Sequence, residues 1–122
     1  MAVRNGLCHF AGSHLLDEND GSYNISYIHR YLPETSVRLV RLAEREQGLI
    51  TAAGNPKKIS GIEDLAKEDI IFINRQGGSG TRVLLDFNLT RLGIDPDSIT
   101  GYEKEEYTHM AVAAAVLGKN AD

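Results

Sequence analysis

The sequence predicts an α/β fold, and three observations predict it. An apolar run of β type, Ile70-Ile71-Phe72-Ile73-Asn74, enters the turn Gln76-Gly77-Gly78-Ser79-Gly80, which opens a helical pattern running to Leu92. Two further strand-like runs, residues 37–42 and 47–52, precede it, and a second helical segment, residues 108–117, follows it. Strands alternating with helices mark layered domains in which helices cover a largely parallel sheet.

Composition narrows the class. The chain has 122 residues, enough for one compact domain, and its 42% hydrophobic content supports a packed core rather than wholesale disorder. A net charge of −4 and the absence of any Lys/Arg block argue against nucleic-acid contact by this chain. A single cysteine, Cys8, excludes an internal disulfide, and His9 and His14 lack partners at zinc-ligand spacing, so neither a metal nor a cofactor is expected. No apolar run approaches membrane-spanning length and no secretory core opens the sequence. The expectation is a cytoplasmic chain without membrane contact.

Along the chain, Asp17-Glu18-Asn19-Asp20-Gly21 is a polar turn. Tyr23, Tyr27, Ile28, Tyr31 and Leu32 recur at helical spacing until Pro33 stops the pattern, and three tyrosines on one stripe read as core. Residues 37–42 and 47–52 read as strands, with Glu44-Arg45-Glu46 between them. Ser60-Gly61-Ile62-Glu63 is a capping box before a short helix ending at Ala66. In the helix after Ser79, Leu85, Leu89 and Leu92 face inward and Gly93 ends it. Thr100 to Tyr102 reads as a short strand. The segment from Thr108 is apolar nearly all round, which predicts packing on several sides, and Gly118 ends it.

The glycine-rich turn is the strongest chemical feature. It aims backbone N–H groups of Gly80, Thr81 and Arg82, the hydroxyls of Ser79 and Thr81, and a helix N-terminus at one small volume, whose natural occupant is an anion. The alternative is a tight turn with Ser79 as a helix cap. It is not a nucleotide-hydrolase phosphate loop, because no Gly-Lys-Ser/Thr follows. Arg82 either faces the anion or pairs with Asp86 one helical turn on, and Arg75 at the strand end poses the same choice. Thr108 and His109 open the second helix as another lip, with Thr108 as a cap the competing role, and His14 and Asn24 have the polar chemistry to close over a ligand. Three or four charge-assisted hydrogen bonds supply about 5–10 kcal/mol before ordering costs, where micromolar affinity needs about 8. One such turn is marginal by itself.

Catalytic sets do not assemble. Glu103, Glu105 and Glu106 read as a solvated acidic face, and neither Cys8-His9 nor Ser13-His14 can form a dyad as strand neighbours pointing to opposite faces.

Several blocks together carry a resemblance. They are His9-Phe10-Ala11-Gly12-Ser13-His14-Leu15 with Asp17, Tyr23-Asn24, the run from Leu39 to Leu49 with Gly54-Asn55-Pro56, Asn74-Arg75-Gln76 with Gly78-Ser79-Gly80-Thr81-Arg82, and Gly101-Tyr102-Glu103 with Thr108-His109-Met110-Ala111-Val112-Ala113. The chain resembles the periplasmic-binding-protein-like domain of molybdopterin-biosynthesis (MoeA-type) proteins and helix-turn-helix regulators. The Ser-Gly-Thr turn also looks like that of tungstate-binding transport proteins. The resemblance implies part of a two-lobed type II binding-protein fold, truncated at both ends, with residues 1–62 in lobe I and 63–122 in lobe II.

It further implies a non-catalytic module for a small anion, either a molybdate- or tungstate-like oxyanion or a phosphate-bearing pterin, serving molybdenum-cofactor biosynthesis or its regulation. The rival readings are a piece of a molybdopterin enzyme that delivers ligand to a catalytic domain, and a ligand-free interaction module. The chain is expected to form a homo-oligomer and to be linked to another domain. The expected ligand-binding residues are Arg75, Ser79, Gly80, Thr81, Arg82, Thr108, His109 and His14, with no catalytic residue and no metal ligand.

Overall fold

The computed structural model describes residues 2–122. The chain divides into two compact units, Met1–Glu46 and Gln47–Asp122. That division falls earlier than the boundary at 62/63 read from the sequence. Residues 47–62 go with the second unit because Ala52 N–H donates to the Asp122 carbonyl and Ile59 and Ile62 pack on its core.

In the first unit, an antiparallel bridge joins Leu16 to Tyr23 across the polar turn, and Asp17 N–H donates to the Ser22 carbonyl at 2.8 Å. Helix α1, Ile25–Tyr31, follows the Asn24 left-handed cap and stops before Pro33 as the pattern predicts. The tyrosine stripe is not core. Tyr27 and Tyr31 stack with ring centroids 6.4 Å apart, Tyr23 and Tyr31 are exposed, and Tyr27 donates its hydroxyl to the Leu16 carbonyl. Residues 37–42 form no strand, and no ladder partner exists for them among the described residues. β propensity alone cannot hold an extended segment that pairs with nothing.

The second unit is built on Leu65, Ile70, Leu85, Leu89, Ile99 and Tyr102, with Ile70 and Leu89 each only 1% exposed. The run 70–74 becomes the spine of a parallel pair. The strand β1, Asn74–Arg75, lies beside β2, Glu105–Glu106, in the register Asn74 to Glu105. The pairing reaches further, with Phe72 N–H donating to the Thr100 carbonyl, Asn74 N–H to Lys104 and Gln76 N–H to Glu106. So the partner strand lies within the acidic run that sequence reasoning took for a solvated face, while residues 100–102, read as a short strand, form a turn. At that turn Gly101 has φ 92°, and a Cβ there would strike the Phe72 carbonyl oxygen. Only glycine allows so close an approach. Residues 47–52, like 37–42, are not a strand.

Helix α2, Gly80–Leu92, starts at Ser79, whose hydroxyl accepts from Arg82 N–H at 3.2 Å, and ends at Gly93 in the left-handed region. Leu85 and Leu89 are buried as expected, but Leu92 is exposed. Helix α3, His109–Leu117, is capped by Thr108, whose hydroxyl accepts from Ala111 N–H at 3.0 Å. Both helices pack against β1. The expected many-sided burial of α3 is not found: Ala115 and Val116 are buried, while Met110 is 79% and Leu117 86% exposed. The helix before Ala66 is a 3₁₀ turn, Ile62–Ala66, and its returning carboxylate is Asp64 rather than Glu63. Asp64 accepts from the Ser60 N–H and hydroxyl and from Gly61 N–H.

Candidate functional site

Two parallel strands end on the same side of the small sheet, and each leads into a helix N-terminus. Open α/β sheets bind ligands in the crevice at such strand ends. A cavity of about 190 Å³ lies in this unit, between α2 and α3 and against residues 72–75. Phe72, Leu84, Leu85, Val112 and Val116 make its apolar walls. Arg75, Thr81 and His109 line it from the C-terminal end of β1 and the first turns of the two helices.

Arg75 is held in place by oxygens that carry no full charge. Its guanidinium donates to the carbonyls of Glu106 and Tyr107 and to the side-chain oxygen of Gln76, at 3.1–3.2 Å. One terminal nitrogen lies 2.9 Å from both ring nitrogens of His109. Among the described residues, Arg75 has no carboxylate in ion-pair range.

Arg82 is the opposite case. Its Nε donates to both Asp86 oxygens at 2.9 and 3.0 Å, a terminal nitrogen reaches Glu105 Oε1 at 3.0 Å, and the group stacks 4.1 Å over the Tyr102 ring. Tyr102 donates its hydroxyl to Asp86 at 2.7 Å. Burial works to lower the Arg82 pKa, but the hydrogen bonds with Tyr102 and Asp86 outweigh it, and the net shift is upward. Burial raises the Tyr102 pKa, and the Asp86 hydrogen bond adds to that shift.

Glu105 also accepts from Gly77 N–H at 3.1 Å, so a carboxylate of the chain itself sits against the glycine-rich turn. Sequence reasoning missed this role. Glu105 and Arg82 stand 23 residues apart, and only the register of β2 against β1 brings them together.

The other expected residues divide by place. Ser79 and Thr108 serve as helix caps, and the N–H of Arg82 is spent on the Ser79 cap. Gly80 and Thr81 keep N–H groups with no acceptor among the described residues, as the first turn of a helix leaves them. His14 lies in the Met1–Glu46 unit and is exposed. The structure thus gathers Arg75, Thr81 and His109 in one cavity and commits Arg82 elsewhere.

Comparison with known proteins agrees with this architecture. The model of the PBP superfamily domain (PBP_like) matches residues 1–122, and the chain belongs to this family, a class of ligand-binding modules. It is 41% identical over 117 residues to Uncharacterized protein YvgK of Bacillus subtilis (strain 168), covering 96% of this chain and 38% of that protein. It is 50% identical over 40 residues to Uncharacterized protein in ferredoxin 2Fe-2S gene 5'region of Clostridium pasteurianum, covering 33% of this chain and 35% of that protein. The matched part of the chain therefore covers little more than a third of the length of each of these curated relatives. No solved structure matches it.

Proposed function

We propose that the chain is a non-catalytic module that binds a small anion at the Arg75–Thr81–His109 end of the cavity. The observation that carries this reading is the guanidinium of Arg75, fixed by neutral acceptors, facing the cavity and unmatched by any carboxylate among the described residues. A fixed guanidinium without a counter-charge suits tetrahedral oxyanions and phosphate groups. The unspent N–H groups of Gly80 and Thr81 add the positive end of α2. The anion is of the molybdate or tungstate type or the phosphate of a pterin, and the module serves molybdenum-cofactor biosynthesis or its regulation. The Bacillus subtilis relative, of which this chain covers 38%, supports its being linked to another domain, sensory or catalytic.

Equilibrium dialysis of the full-length protein against labelled phosphate, molybdate and tungstate tests this. Arg75→Gln should weaken binding about tenfold or more, and Thr81→Val should weaken it by about 1–3 kcal/mol with the fold unchanged. Unchanged affinity in both variants would remove this end of the cavity from the binding site and leave the interaction-module reading ahead.

A further inference from the structure

Resting on that reading, we infer that the ligand is an organic anion with a flat apolar body, of the aryl phosphate class, and not a bare tetrahedral oxyanion. The cavity of about 190 Å³ is the first reason. An apolar cavity of about 150 Å³ suffices for a benzene ring, while a four-oxygen anion fills a small part of such a space. The walls are the second. Phe72, Leu84, Leu85, Val112 and Val116 face the volume, and the charged or titratable groups lining it are Arg75 and His109 alone among the described residues.

The deeper polar groups ask for nothing. The Asn74 amide donates to the Tyr102 carbonyl and the Asn88 amide to the Leu84 carbonyl. No buried side-chain polar atom among the described residues lacks a partner. A hydrated oxyanion entering here would give up water against hydrocarbon, and only its Arg75 side would be repaid. An anion joined to a ring satisfies both parts of the cavity. Its charged group meets Arg75, and its ring displaces water from the apolar walls.

Isothermal titration of the full-length protein with inorganic phosphate, molybdate and phenyl phosphate decides the matter. Phenyl phosphate should bind at least about tenfold tighter than either inorganic ion, as burial of a phenyl-sized surface implies. Val112→Thr, nearly isosteric, should reduce that preference. Arg75→Gln should weaken phenyl phosphate about tenfold or more. Equal affinities for phenyl phosphate and the inorganic ions would overturn the inference and leave the anion-binding module standing. No binding of any of the three by folded protein would overturn both. The wild-type comparison alone is decisive should a variant fail to fold.

Discussion

Arg75 and Arg82 carry the same guanidinium and were indistinguishable as anion ligands by residue type. Their neighbours separate them. Arg82, 12% exposed at its side chain, holds two carboxylates and a tyrosine ring, so its charge is already spent within the fold. Arg82→Ala should therefore act on stability, by about 1–3 kcal/mol once the partial exposure of Asp86 and Glu105 is discounted, with little change in anion affinity. Urea unfolding beside the dialysis assay checks this, and an affinity loss without a stability loss would contradict it. Tyr102 reports on the same network. Its pKa is raised above 10.0, so the contribution of its neutral form to stability is complete below that value and is lost as pH rises through the folded-state value. Tyr102→Phe should remove a late component from the alkaline tyrosinate titration followed by ultraviolet absorbance.

At the scale of elements, the fold depends on how closely the turn before β2 approaches the β1 run. Gly101 allows Phe72 N–H to reach the Thr100 carbonyl, and Gly101→Ala would bring both a strained φ and a clash with the Phe72 carbonyl. A loss of about 2–3 kcal/mol is expected, measured as a shift in the denaturation midpoint. The 3₁₀ turn carries an acid-sensitive contact. Hydrogen bonds from Lys67 and then Ser60 hold Asp64 well below the ordinary carboxylate value of 3.8. Its stabilising effect is present above that value and fades as pH falls toward the depressed one. Asp64→Asn should flatten the acid limb of the Tm–pH curve. A capping motif near residue 60 was legible, but the structure places the N-cap at Gly61 rather than Ser60. This shift of one residue puts Asp64 and not Glu63 at the third position of the turn, where its carboxylate can return to the cap.

At the scale of the whole molecule, exposed apolar surface on α3 and the outer edge of β1 bear on association. Met110 and Leu117 stand out from α3, and the backbone N–H and carbonyl of Ile73 find no ladder partner among the described residues. Unpaired edges and apolar faces invite pairing. Light scattering is expected to give a dimer or larger species for this chain, and a clean monomer at high concentration would reject that expectation.

The sequence by itself determined α1, α2 and α3, their caps at Ser79 and Thr108, their stops at Gly93 and Gly118, and the inward positions of Leu85 and Leu89. These depend on contacts within a few residues, where spacing and propensity suffice. The tertiary structure decided which acidic residues become a strand, why residues 37–42 and 47–52 do not, and which of the two arginines is ion-paired within the fold. Strand pairing and ion pairing are made between residues far apart in the chain. Their outcome is set by register and burial, which no local pattern encodes.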